Sequence, residues 1–235
     1  MKRVIFIPAR FASTRYPGKP LVQLTGATGL RKSLIQRAWE AAKSVRGADG
    51  VFVLTDDDRI ADAARAFGAD VLMTSPEARN GTERCAEAVA QLPTAPDFVI
   101  NLQGDAPLTP PWFVEALIDR MAKGDVEMTT PVLLCDAETL TNFVTDRQNG
   151  RVGGTTAVMR ADGSALYFSK EVLPYVGDLT NPPEVWHHVG VYGYTPAALQ
   201  AYMSTPEGPL EQAEGLEQLR FLENGIPVTC VPVDG

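Results

Sequence analysis

At 235 residues, with 45% hydrophobic and 21% charged residues, the chain has the length and balance of a soluble globular domain with a full core. A net charge of −8 excludes nucleic acid as the main partner, because a phosphate backbone demands a basic face. No apolar run approaches a membrane span. The short run after Met1-Lys2-Arg3 is broken at once by Arg10, so it is not read as a signal peptide.

The first predicted strand, 3–7, empties into Arg10-Phe11-Ala12-Ser13-Thr14-Arg15-Tyr16-Pro17-Gly18-Lys19-Pro20-Leu21. Three cations, two hydroxyls and a glycine directly after a strand suit a polyphosphate, Arg supplying planar forks and Lys a compact charge. A Walker loop is excluded because Gly18-Lys19 is followed by Pro20, and no GxGxxG is present. A solvated basic loop is the competing reading.

Predicted helices at 32–44, 57–67 and 82–92 alternate with strands at 51–55, 70–73 and 98–102. This alternation means βαβ units and a parallel sheet covered on both faces, with ligands beyond the carboxyl ends of the strands. One rim therefore collects the 10–19 loop, Thr55-Asp56 and Gln103-Gly104-Asp105. Beyond about residue 125, strands at 126–134, 155–160, 165–169 and 186–194, rich in Thr, Val and Tyr, predict antiparallel additions. A Pro-rich loop is expected at 173–183, a helix at 209–224 stopped by Asn224-Gly225, and a last strand at 228–233. The organisation is one domain over 1–235, with about 125–195 contributing an antiparallel lobe.

Asp105 places a hard carboxylate at the rim after Gly104, the ligand type Mg2+ accepts alongside phosphate oxygens. A turn or N-cap aspartate is the alternative. Asn80-Gly81-Thr82-Glu83-Arg84 opens a helix, with Asn80 or Thr82 as its cap. Cys85 sits among Ala86, Ala88 and Val89 and reads as a core thiol. With Cys135 and Cys230 it shows no metal spacing, and the three are expected to be reduced, as in the cytoplasm. His187-His188 alone reads as structural, and Tyr192 reads as packing between Gly190 and Tyr194. For Glu211 and Glu214 a solvated helix face is an equal alternative.

Read together and in order, the 10–21 loop, 80–84, Asn101-Leu102-Gln103-Gly104-Asp105, His188-Val189-Gly190-Val191-Tyr192 and Leu216-Glu217-Gln218-Leu219-Arg220 resemble the CMP-Kdo synthetases. These are the 3-deoxy-manno-octulosonate cytidylyltransferases of lipopolysaccharide synthesis. The resemblance runs from residue 3 to about 232. It implies an α/β fold, a mostly parallel central sheet flanked by helices of the nucleotide-diphospho-sugar transferase type, with a smaller antiparallel lobe. It implies transfer from CTP to Kdo with Mg2+ and release of pyrophosphate, in a cytoplasmic homodimer without membrane insertion. Ala9, Arg10, Ser13, Arg15, Lys19, Asn80 and Gly81 would face the nucleotide, with 80–84 reading the cytosine ring. Arg10, Lys19 and Asp105 would be catalytic, Asp105 as metal ligand. Gln103, Lys170, His188, Tyr192, Glu217 and Gln218 would line the sugar site.

Four departures stand out. Ala106 replaces a second acid after Asp105, Lys170 replaces an Arg after Tyr167-Phe168-Ser169, and Ala78 lies where a His is expected. The family continues into a segment whose Asp is a second metal ligand. The sequence reaches Asp234-Gly235 without that segment: either it stops short of the segment, or Asp105 and the nucleotide alone hold the metal. A modified Kdo or another nonulosonic-type acceptor, and a non-catalytic nucleotide-binding homologue, are the alternative functions.

Overall fold

The computed structural model describes residues 1–12 and 16–235. Strand β1 (Arg3–Pro8) is apolar on both faces, Val4 and Phe6 facing one core cluster and Ile5 and Ile7 another, so it belongs inside a sheet covered twice. A hairpin of β2 (Gln23–Thr25) and β3 (Arg31–Ser33) follows, then α1 (Leu34–Lys43), β4 (Gly50–Thr55), α2 (Asp58–Ala66), β5 (Asp70–Met73), α3 (Gly81–Gln91) and β6 (Phe98–Leu102). Strands β5, β4, β1 and β6 pair in parallel in that order. Helices α1 and α2 cover the Ile5/Ile7 face, and α3 covers the other. The first helix starts later than 32 because Ser33 caps it, its hydroxyl accepting from Gln36 N–H at 3.3 Å. Residues 31–33 pair with β2 instead.

The second half contains α4 (Pro111–Met121), β7 (Met128–Leu134), α5 (Ala137–Gln148), β8 (Thr155–Met159), β9 (Ala165–Ser169), β10 (Trp186–His188), β11 (Val191–Tyr194), α6 (Pro196–Ser204), α7 (Pro209–Glu214), α8 (Leu219–Glu223) and β12 (Thr229–Pro232). Its strands continue the same ten-stranded sheet, in the order β5-β4-β1-β6-β11-β7-β10-β8-β9, with β12 on the other edge of β7. Pairs β6–β11, β11–β7, β7–β10, β10–β8 and β8–β9 are antiparallel.

Two expectations are corrected. Residues 186–194 are not one strand: β10 and β11 lie along one edge of β7 and change their outer partner from β8 to β6 at Val189-Gly190. The 209–224 helix is two helices, broken where Gly215 adopts φ 61°, ψ 38°, a left-handed conformation that glycine reaches without strain. Helices α5 and α6 lie in segments to which no element had been assigned. Their starts are capped by Asp136 and Thr195, the latter followed by Pro196 at the first helical position.

Candidate active site

The carboxyl ends of β1 and β6, the start of α3, β11 and the α7–α8 break enclose one cavity of about 640 Å³. On one side the loop after β1 is tied at its base. Gly18 N–H donates to Phe11 O at 2.9 Å, and the Phe11 ring lies 3.0 Å from where a Cβ on Gly18 would be. The Arg59 guanidinium covers that ring at 3.3 Å and is itself gripped by Asp57 at 2.6 and 2.9 Å. Arg10, Tyr16 and Lys19 are delivered to the cavity wall. Ser13 and Arg15 lie outside the described residues.

Across from this loop, Gly104 approaches β1 so closely that a Cβ would sit 2.7 Å from Pro8 O. The close approach, not a positive φ, demands glycine here. Asp105 is thereby set on the wall, and its carboxylate accepts from Lys19 Nζ at 2.6 Å, both side chains being about half-exposed. It is not an N-cap: α4 is preceded by Pro110, with no side-chain cap. No cluster of three His, Cys, Asp or Glu suited to a metal occurs among the described residues. An accessible carboxylate on a cavity wall fits a Mg2+ that draws its other ligands from phosphate and water.

The start of α3 forms the next wall. Asn80 is the cap, accepting from Glu83 N–H at 2.9 Å, while its Nδ2 donates to Tyr202 Oη at 2.8 Å. Thr82, the other cap candidate, is buried against Tyr194 at 2.9 Å. Gly81 leaves the floor open, since a Cβ there would lie 3.1 Å from Asn101 Nδ2 and 3.4 Å from Gln103 Nε2. Of the expected rim, Thr55 and Asp56 stand one layer behind, Asp56 beside buried Arg84 at 3.3 Å.

The far wall is Tyr192 with residues 215–218. Tyr192 Oη donates to Gln218 Oε1 at 3.3 Å. Burial pushes the Glu217 carboxyl up to about 7, against the opposing pull of the Thr82 hydroxyl and N–H. Its Oε2, together with Gln218 Nε2 and Asn101 Nδ2, is enclosed without a protein hydrogen-bond partner among the described residues. Such atoms cost free energy until a polar ligand meets them.

A family model described as cytidylyltransferase matches residues 4–228. Over all 235 residues, and 89% of the relative's length, the chain is 42% identical to the 3-deoxy-manno-octulosonate cytidylyltransferase of Maricaulis maris. The chain belongs to the CMP-Kdo synthetase family of cytidylyltransferases. It is also 42% identical, over 96% of its length and 87% of the relative's, to the 8-amino-3,8-dideoxy-manno-octulosonate cytidylyltransferase of Shewanella frigidimarina. A solved CMP:2-keto-3-deoxy-manno-octonic acid synthetase complexed with CTP superposes with a TM-score of 0.87 at 35% identity, covering 100% of this chain and 91% of that one.

Within this cytidylyltransferase, Ala9, Arg10, Lys19, Asn80, Gly81, Gln103, Asp105, Tyr192, Glu217 and Gln218 share the one cavity. Two expected residues do not line it. His188 lies behind Tyr192, ring to ring at 5.6 Å and edge-on to Phe168 at 4.9 Å, with Nδ1 3.0 Å from Thr155 Oγ1. Burial, reinforced by His187, drives its imidazole down to about 3, so it is neutral at physiological pH. The Lys170 ammonium stands beside Gly215, 3.1 Å from where a Cβ would be, while its backbone N–H donates to Glu214 Oε2 at 2.9 Å.

Glu211 and Glu214 are not a solvated face. Glu211 is 5% exposed and bound to Arg220, and Glu214 accepts from Ser169 Oγ at 2.6 Å. The Phe11–Arg59 clamp and the Arg220 fork escaped the sequence analysis. Arg220 stood in a recognised motif, but nothing local identified its partner. Cys85 is a core thiol, fully buried and raised in pKa by that burial. All three cysteines are free.

Proposed function

We propose that the protein transfers the cytidylyl group of CTP to a hydroxyl of 3-deoxy-manno-octulosonate, releasing pyrophosphate and yielding CMP-Kdo for lipopolysaccharide synthesis. The observation that carries this reading is a single cavity with walls of two chemical kinds. The walls at the β1 loop and the end of β6 carry Arg10, Lys19 and Asp105, and the wall at β11 and the α7–α8 break carries Tyr192, Glu217 and Gln218, with Gln103 beside Gly81 at the head of α3. The first suits a triphosphate and its counter-ion, the second a hydroxyl-rich sugar acid.

In this reading Arg10 and Lys19 grip the phosphates and hold them in line with the acceptor hydroxyl, with Ser13 and Arg15 of the same loop assisting. Asp105 would hold Mg2+, which supplies charge neutralisation to the phosphates when bound. The Lys19–Asp105 ion pair keeps both groups aligned at the phosphate end. Asn80 and Gly81 present the head of α3 to the cytosine ring, where unpaired helix N–H groups can match a base edge. At the other end Tyr192 and Gln218 bind sugar hydroxyls, and Glu217 accepts from or donates to one according to its protonation. His188 supports Tyr192 from behind, and the Lys170 ammonium beside Gly215 supplies a cation for the acceptor carboxylate. No protein nucleophile is required, so catalysis is positioning and electrostatics.

No helix among the described residues is long and apolar enough to cross a membrane. A cytoplasmic homodimer completes the proposal. Kdo modified at its 8-position is a second acceptor reading, raised by the 42% identity to the 8-amino relative, equal to that to the Kdo relative. The test is pyrophosphate release with Mg2+, each of four nucleoside triphosphates, and either Kdo or its 8-amino analogue. Release only with CTP plus Kdo supports the proposal, and release only with CTP plus the analogue moves the acceptor. CTP binding without release under any combination refutes catalysis.

A further inference from the structure

The nucleotide-side wall at the head of α3 and the acceptor-side wall at the α7–α8 break belong to distant stretches of chain, yet one buried cluster touches both. Arg220 on α8 is 3% exposed and forks onto Glu211 of α7, Nε to Oε2 at 2.6 Å and Nη2 to Oε1 at 2.8 Å. Its guanidinium covers the Tyr202 ring at 3.9 Å and stands 3.9 Å from Glu83. None of these four residues lines the cavity.

Each of their contacts nevertheless ends one step away on its wall. Tyr202 Oη donates to Glu211 Oε1 at 3.3 Å and accepts from Asn80 Nδ2 at 2.8 Å. Glu83 accepts from Arg79 N–H at 2.8 Å, and Arg79 lines the cavity. Along its own chain, Arg220 N–H donates to the Glu217 carbonyl at 3.3 Å. Across the gap, the Thr82 hydroxyl and N–H face the Glu217 carboxyl and favour its ionised form. A buried ion pair adds little stability over an apolar pair of the same shape, but a planar fork accepts only one geometry.

We propose that Arg220 is a positioning residue whose fork on Glu211 and contacts with Tyr202 and Glu83 hold the two walls in one relation, so that filling either wall favours filling the other. The inference rests on the cytidylyl-transfer reading, and its test separates the two. The variant Arg220→Met/Glu211→Leu removes both charges together and keeps an apolar filling. Arg220→Lys keeps the charge and loses the fork.

Binding of a CTP analogue with a methylene bridge between the α and β phosphates is measured by calorimetry with and without Kdo, and kcat by pyrophosphate release. In the parent, Kdo tightens analogue binding about fivefold or more. In the double variant this coupling falls toward one and kcat drops about 10- to 100-fold, while the fold still melts cooperatively. Arg220→Lys recovers part of both. A cooperatively folded double variant with parent-like coupling and kcat overturns the positioning role. If the double variant does not melt cooperatively, Arg220→Lys decides on the same two readouts. A parent that releases no pyrophosphate overturns the cytidylyl-transfer reading instead.

Discussion

Glu217→Gln separates the stability of the fold from the chemistry of its cavity. The Glu217 carboxyl is raised from 4.5 to about 7, chiefly by burial. Its folded form therefore holds a proton that the unfolded chain releases between those values. Below about pH 4.5 both states are protonated and the group is neutral in the balance. As pH rises toward 7 the unfolded chain ionises first, so stability falls, and above about 7 the loss is constant. A shift of this size corresponds to about 3 kcal/mol at 1.36 kcal/mol per unit.

Glutamine keeps an acceptor for Thr82 and carries no charge at any pH, so it should recover most of that loss. Urea unfolding should show Glu217→Gln more stable than the parent by about 2–3 kcal/mol at pH 8 and nearly equal to it at pH 4.5. The same substitution should weaken use of the keto-sugar, because function is commonly placed at groups the fold would rather neutralise. An equal effect at both pH values, or destabilisation at pH 8, would refute the reasoning. Either result would mean that Glu217 is not ionised against its environment.

Lys19→Ala should lower kcat by the equivalent of about 2–4 kcal/mol, as loss of one preorganised cation at developing phosphate charge does. Its half-exposed pair with Asp105 contributes at most about 1 kcal/mol to stability, so an unchanged Tm would accompany the loss. Asp105→Asn should still bind CTP by calorimetry while pyrophosphate release loses its response to Mg2+. A parent-like Mg2+ titration would place the metal elsewhere. Gly104→Ala should lower Tm by on the order of 5 °C, since its Cβ would press on Pro8 O at 2.7 Å and the backbone on one side must move. An unchanged Tm would show that the turn yields freely.

What was legible in the sequence was local. The β1 loop, the Gly104 approach and the head of α3 each lie within a few residues of a strand or helix end, where residue type reports backbone geometry directly. What was not legible depends on distance or on a break. The Val189-Gly190 interruption is invisible to a period of two, because alternation continues through it while the strand changes partners. One left-handed glycine, Gly215, turns an apparent helix into two and brings Glu217 and Gln218 to the wall. The Phe11–Arg59 and Arg220–Glu83 contacts join residues 48 and 137 positions apart, and no local pattern could pair them. His188 belongs to a motif of the family, but only packing shows that Tyr192 stands between it and the cavity.

The unequal distribution of satisfied groups explains how such a cavity can discriminate between acceptors. At the phosphate end, charges already answer one another, Lys19 on Asp105. At the 215–218 wall Gln218 Nε2 and Glu217 Oε2 have no protein partner among the described residues. Each such atom is already out of water and costs about 1–3 kcal/mol until a ligand group supplies its hydrogen bond. A ligand that brings hydroxyls to these positions recovers that cost and one lacking them does not, a stronger filter than apolar shape alone provides. Glu217 extends the filter. With its carboxyl near 7 it can accept or donate at neutral pH, whereas an ordinary exposed glutamate would only accept. A hydroxyl meets either form equally well, but an ammonium finds a charge partner only in the ionised one. The ratio of Kdo to 8-amino-Kdo turnover should therefore fall as pH rises from 6 to 8 if the 8-position reaches Glu217. A ratio that stays constant across that range would place the 8-position away from this carboxyl.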